Sequence, residues 1–288
     1  LGGAIRRTDK CSLACKGSPT TQAYLNGYIY IYTVEANVTI YVTGASSNEH
    51  TSVKLLGQVS VFPLGNCVYE LAVEKLDIFG PDGKKYQSPP GTEKPVLFTL
   101  QDGRIGAEIC AEEGDTRRSL NIKRGIISLL QTEQKTSTQI DIFGTCPTEV
   151  SSSQEGGAVL VHRSRDLSRC GHREQGKNGL ITGVFNVGAE IKDTQVLRSI
   201  LNVETKVNDG VPEKVASSEE YLYRPFSVGE NGARAKVHTK LTLTNKARAA
   251  AAANHCTVSR TIIFEAPHGT ANKNNFQSAL TAVKETAR

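Results

Sequence analysis

A chain of 288 residues has room for one large domain or two ordinary ones, and it can bury a sizeable core. Its 38% hydrophobic and 22% charged residues are ordinary for a folded soluble protein, and no apolar run is long enough to span a bilayer as a helix. The net charge of +5 is spread along the chain, which permits anionic partners but, without a recognition motif or a dense basic block, excludes nucleic acid as the main one.

Residues 1–20 are polar and irregular and carry Cys11 and Cys15. No second ligand pair follows at finger-like spacing, so disulfide anchoring of this segment is expected in preference to a metal site. Seven cysteines, with a sequon at Asn37, point to the secretory pathway; the odd count leaves one thiol over, or a partner outside these residues. The chain starts without Met or a signal-like segment, which reads as a processed or trimmed chain.

Tyr28, Tyr30 and Tyr32 alternate with Ile29 and Ile31, which predicts a strand, and a second is expected from Val38 to Val42. Val53, Leu55, Val59 and Val61 keep a period of two, with Gly57 as a bulge or close approach. The register resumes at Cys67, Tyr69, Leu71 and Val73, then shifts phase at Leu76 and Ile78, as a bulge would cause. Gly80-Pro81-Asp82-Gly83 is a turn, and residues 84–95 read as loop. Short strands are expected around Val96–Leu100 and Arg104–Cys110, joined by an Asp102-Gly103 hairpin turn.

Ile122, Ile126, Leu129 and Leu130 then recur at helical spacing, an isolated apolar helix in a β-rich chain. Lys123 and Arg124 fall at its expected start, where the helix dipole disfavours cations. Two readings remain open: side chains snorkelling at a surface, or an apolar face that plugs a barrel while the cations face a partner. A strand is expected to close with Ile140, Ile142 and Cys146, and residues 147–157 read as a Ser/Gly-rich loop.

Further strands are expected at 158–161, 180–191, 194–203 and 215–222, and at Ala235–Leu243 with Lys236, His238 and Lys240 outward. The Ala run 247–253 fits a helical turn or a plain connection, and a last strand is expected at Thr261–Phe264. From Asn274, Phe276, Leu280 and Val283 follow helical spacing. The pattern predicts an antiparallel β-barrel enclosing a short helix, followed by the start of a helical domain. The corresponding division is a tethered segment at 1–20, a barrel at 21–266, and a linker with a first helix at 267–288.

His172 near Cys170 and His255 beside Cys256 invite a metal reading, but cysteines in disulfides cannot ligate and the six histidines are scattered. No hydrolase signature is present, so no catalysis is expected. Basic residues gather at Arg117, Arg118, Lys123 and Arg124, and again at Arg163, Arg165, Arg169 and Arg173. A solvated surface is the default reading, and a docking face is the alternative.

Gly27 to Glu35, the octapeptide Asn121 to Ser128, Arg165 to Cys170 and Leu222 to Ser227, in that order, resemble the N-terminal barrel of the large lipid transfer proteins. That family holds apolipophorins, vitellogenins, apolipoprotein B and the microsomal triglyceride transfer protein. Pro63 to Cys67 and Ile78 to Gly83 resemble its early hairpin, and the ending Ile262 to Pro267 looks most like apolipophorins, then apolipoprotein B. The resemblance implies a Cys146–Cys170 bridge and a Cys67 bonded to Cys11 or Cys15, and leaves Cys110 and Cys256 unassigned. It implies a docking and assembly domain of a secreted lipoprotein scaffold of hemolymph or plasma. Bound phospholipid and diacylglycerol or triacylglycerol would take the place of any cofactor. Implied partners are the rest of the precursor, its cleavage products, a low-density-lipoprotein-receptor-type receptor, lipid transfer proteins and sulfated glycans. Yolk storage with receptor uptake, and a lipid-transfer chaperone, are the alternatives within the family.

Overall fold

The structure is a computed structural model that describes residues 11–15, 23–43, 50–171, 197–223, 232–250 and 256–265. The expected strand at 180–191, His172, Arg173, His255 and the helix from Asn274 lie outside the described residues.

Among the described residues thirteen strands form one antiparallel sheet. In chain order they are β1 Tyr28–Thr43, β2 His50–Gly65, β3 Val68–Phe79, β4 Lys85–Tyr86, β5 Val96–Gln101 and β6 Arg104–Ala111. The single α-helix among the described residues, α1 Arg117–Leu129, precedes β7 Ser137–Asp141, β8 Gly144–Glu155 and β9 Ala158–Asp166. Then come β10 Leu197–Asn208, β11 Val211–Tyr223, β12 Gly232–Arg248 and β13 Val258–Thr261. The spatial order is β13-β6-β5-β3-β2-β1-β12-β11-β10-β9-β8-β7, with β4 beside β3.

The sheet wraps around α1, and its two ends are tied together by the chain after β13. Ile262 N–H donates to Ala107 O in β6, and Phe264 N–H donates to Ile142 O beside β7, both at 2.9 Å. Those two bonds satisfy edge groups that would otherwise invite another chain. Inward side chains of β1, β2, β3, β5 and β6 pack on Leu120, Ile126, Ile127 and Leu130, so the core is one cluster with the helix inside it. Tyr24, Tyr30, Tyr69 and Phe98 stack edge and face in that core, and the Tyr24 and Tyr32 hydroxyls share a hydrogen bond at 3.0 Å. This pairing lets both phenols be buried without loss of their polar atoms.

The period-two stretches form strands, but several boundaries differ from expectation. The two strands expected at 28–32 and 38–42 are one continuous β1, paired with β2 and β12 along its length. Glu74 is skipped in the β2–β3 register, where Gln58 faces Lys75 and Val59 faces Val73, and that bulge causes the phase shift at Leu76. Gly57 sits beside it, where an added Cβ would lie 3.0 Å from Lys75 O. Ile140, Ile142 and Cys146 belong to a hairpin, β7 and β8, not to one strand. Residues 147–155, expected as loop, continue β8: 147 and 148 pair with β7, and 149–155 pair residue for residue with β9 across a Gly156-Gly157 turn. The last strand ends at Thr261, where its expected position begins.

Asp102 and Gly103 adopt positive φ of 52° and 80°, the turn that matches strand twist in a tight hairpin. Gly103 O also accepts from Thr132 and Glu133 N–H, and an added Cβ would lie 2.6 Å from Glu133 N. Gly103→Ala is therefore expected to cost more than about 2 kcal/mol through strain and displaced backbone, read as a fall in melting temperature. An unchanged melting curve would show that the hairpin tip is not held against the chain after α1.

Candidate functional site

α1 starts earlier than its apolar spacing indicates. Thr116 has extended backbone and its side chain accepts from Ser119 N–H, a helix N-cap at 3.2 Å. Lys123 and Arg124 consequently lie well inside the helix rather than at its start, and both side chains are fully buried. Lys123 Nζ donates to Asp115 Oδ2 and to Gly91 O, each at 2.7 Å. Arg124 donates to Thr261 O and Asn121 Oδ1, each at 2.9 Å, and to Glu265 Oε1. Burial pulls both pKa values down against the opposing pull of Asp115 and Glu265. These cations neither snorkel nor face a partner. They stitch the helix to the loop before β5 and to the chain after β13.

The second basic group divides by strand alternation. Arg163 and Arg165 are two residues apart on β9 and both point inward, 2% and 4% exposed, which removes them from any surface docking patch. Arg165 is engaged inside: Nη1 donates to Asp141 Oδ2 and Nη2 to Gln139 Oε1, while its Nε lacks a partner among the described residues. Arg163 meets Asp141 only as a nearby charge. Its Nε and Nη2 lack a hydrogen-bond partner among the described residues, and burial together with the Arg165 charge pulls its pKa down to about 10. Arg118 and Arg169 are exposed, and Arg117 reaches Glu265 Oε2 at 3.4 Å.

Arg163 lines a cavity of about 510 Å³ between α1 and the inner faces of β1, β9, β10, β11 and β12. Its walls are mostly apolar, with Ile122, Ile126 and Leu129 on the helix side and Val34, Val38 and Val203 on the sheet side. Leu130, grouped with those helix residues in the sequence, is the helix C-cap and is buried in the core. Polar groups gather at one part of the wall: Asp141, Arg163, Arg165, Ser217 and Glu219. The registers place Ser217 beside Val203 and Val203 beside Arg163, so these side chains share one inward row. Sequence reading passed over Asp141, Ser217 and Glu219. The available signal was their period-two phase: Val215, Ser217, Glu219 and Tyr221 alternate with outward residues along β11.

Burial pushes the Glu219 carboxyl up to about 7, partly offset by the hydrogen bond it accepts from Tyr221 at 2.9 Å. A carboxyl raised in the fold binds more protons folded than unfolded, so stability falls as pH rises from about 4.5 to about 7. Glu219→Gln is expected to remove this slope, worth about 1–3 kcal/mol, in unfolding curves recorded across that window. An unaltered slope would place the titration elsewhere.

Three disulfides are present: Cys11–Cys110, Cys15–Cys67 and Cys146–Cys170. Cys256 lies outside the bridges; its Sγ is 3.4 Å from Pro95 O, and burial pushes the thiol up to about 12, which makes it a poor nucleophile. Asn37 is exposed on the outer face of β1. Among the described residues no three His, Cys, Asp or Glu side chains gather as a metal site would need.

The strands form a barrel around a buried helix, closed by the segment after β13. Residues 24–251 match the vitellogenin N-terminal domain, and the chain belongs to that family. It is 63% identical to apolipophorins of Manduca sexta over 97% of this chain and 8% of that protein. It is 34% identical to apolipophorins of Locusta migratoria over 99% of this chain and 9% of that one. A solved lipovitellin structure superposes with a TM-score of 0.69 at 20% identity, covering 86% of this chain and 28% of that one. The chain thus spans about a tenth of the length of these apolipophorins. It is an apolipophorin- and vitellogenin-like N-terminal domain of the lipid-transport family.

Proposed function

We propose that this chain is the N-terminal docking and assembly domain of a secreted apolipoprotein that carries phospholipid and diacylglycerol in a hemolymph lipoprotein. The observation that carries this reading is the 63% identity to apolipophorins along nearly the whole chain. Likeness to a vitellogenin of Penaeus merguiensis is weaker, 24% over 57% of this chain, so yolk storage ranks second. Three disulfides fit an oxidising extracellular setting.

In this reading residues 1–20 form the tethered entry, 21–266 the barrel and 267–288 the lead into a helical domain. The barrel meets the rest of its precursor and the cleavage products. A lipoprotein receptor, transfer proteins and sulfated glycans would meet its outer face. Arg118 and Arg169 are the exposed cations for such contacts, with Arg117 partly engaged by Glu265, and Asn37 is the proposed glycan attachment site.

The test is the intact mass and lipid content of the native particle. A very large polypeptide with phospholipid and diacylglycerol supports the proposal. A phosphorylated particle of high protein content transfers it to yolk storage, and a lipid-free chain ending near Arg288 overturns both.

A further inference from the structure

The cavity beside α1 combines two features that seldom meet without a ligand. Its walls are apolar, and one fully buried guanidinium on them has two nitrogens with no hydrogen-bond partner among the described residues. An unpartnered buried charge is costly, and native proteins ordinarily pair it. The neighbouring acid, Asp141, directs its oxygens to Arg165 and to Phe143 N–H and makes no hydrogen bond to Arg163 Nε or Nη2. Glu219 accepts from Tyr221, and burial pushes its carboxyl up to about 7. Ser217 Oγ, in the same inward row as Arg163, is also buried without a partner among the described residues. The unpartnered polar atoms of Arg163, Arg165 and Ser217, which are Arg163 Nε and Nη2, Arg165 Nε and Ser217 Oγ, can all donate, and they lie at the edge of an apolar space.

We propose that the cavity holds one single-chain anionic amphiphile, its acyl chain along Ile122, Ile126 and Val203 and its carboxylate or phosphate against Arg163 and Ser217. A space of about 510 Å³ falls within the ~300–1,000 Å³ usual for small-ligand sites, room for one chain rather than the bulk lipid of a particle. The head would complete the buried guanidinium's hydrogen bonds, and the tail would remove apolar surface from water. This site lies in the barrel interior and stands whether or not the docking role does.

The test is isothermal titration of the 288-residue chain with oleate, oleyl alcohol and 1-oleoyl-lysophosphatidate, each delivered from cyclodextrin. Oleate is expected to bind one to one, at least about tenfold tighter than the alcohol of equal length. Arg163→Met, which replaces an unpartnered charge by an apolar side chain, is expected to fold normally and abolish that preference. Gly125→Leu, whose Cβ would meet only Ile142 Cδ1 at 4.0 Å, sends a side chain from α1 into the cavity and is expected to abolish binding of all three. If that variant loses its sheet signal in circular dichroism, Ala36→Leu on the opposite wall replaces it. Tighter binding of the lysophosphatidate than of oleate supports the site and assigns it a phosphate head; the reverse assigns a carboxylate. Equal affinity for oleate and its alcohol, undiminished oleate binding by Arg163→Met, or no binding by the unaltered chain would overturn the proposal.

Discussion

Replacing Lys123 by Met is expected to cost the fold about 3–5 kcal/mol, a large share of what holds any single domain together. The reason lies in what stays behind. Asp115 is 1% exposed and would keep its charge beside Gly91 with the ammonium gone, while Gly91 O would lose its donor. Removing both charges with Lys123→Met and Asp115→Asn is expected to recover most of the loss, since an apolar and neutral pair leaves no stranded ion. Urea unfolding of the two variants and the parent chain separates these outcomes through the midpoint at constant slope. A single-variant loss below about 1 kcal/mol would mean that water reaches Asp115, and the buried-strut reading of α1 would fail. Arg124 is expected to matter less, because its partner Glu265 remains 21% exposed and can be rehydrated.

The helix shows how far sequence reasoning reaches. Ile122, Ile126 and Leu129 marked a helix because apolar spacing reports a buried stripe, and α1 exists. Its start was missed because Arg117, Arg118 and Ser119 break the apolar pattern; Gly114-Asp115-Thr116 was the usable signal, a turn residue followed by capping side chains. The burial of Lys123 and Arg124 was not legible at all. One partner is eight residues away and another 141 away, and a cation's sequence neighbourhood does not reveal which carboxylate the fold will bring to it.

Strand alternation carried the barrel and hid part of the site. Residues 147–155 looked like loop because serine is common in turns, yet their backbone is paired with β7 and β9, and the exposed side chains among them are free to be polar. Arg163 and Arg165 looked like a surface patch because arginine is seldom buried. Their spacing of two, in phase with Val161 and Leu167, already placed them on the inner face. Composition argued for the surface and periodicity for the core, and periodicity won because the pleat leaves no other choice once Val161 points inward.

Severing the two N-terminal bridges is the second large effect expected, and it should act on one region. Cys11–Cys110 closes 99 residues and Cys15–Cys67 closes 52, so the chain-entropy model gives about 4–5 and about 4 kcal/mol respectively. Cys146–Cys170 closes only 24 and is expected to contribute about 3–4 kcal/mol. The geometry says where the loss appears. Cys110 is in β6, Cys67 sits in the turn between β2 and β3, and Cys11 N–H donates to Thr257 O just before β13. The segment 11–15 is thus a strap across the side of the sheet whose edge strand, β13, is only four residues long. Cys11→Ser with Cys15→Ser should therefore raise hydrogen exchange first in β13 and β6. Ile262, which holds the sheet end to β6 through Ala107 O, should follow. Protection in β10–β12, to which neither N-terminal bridge attaches, should fall only with global stability. Equal loss of protection in both regions would make the bridges a constraint on the unfolded chain alone. Selective loss at β13 would show that the N-terminal segment also keeps the barrel shut around α1.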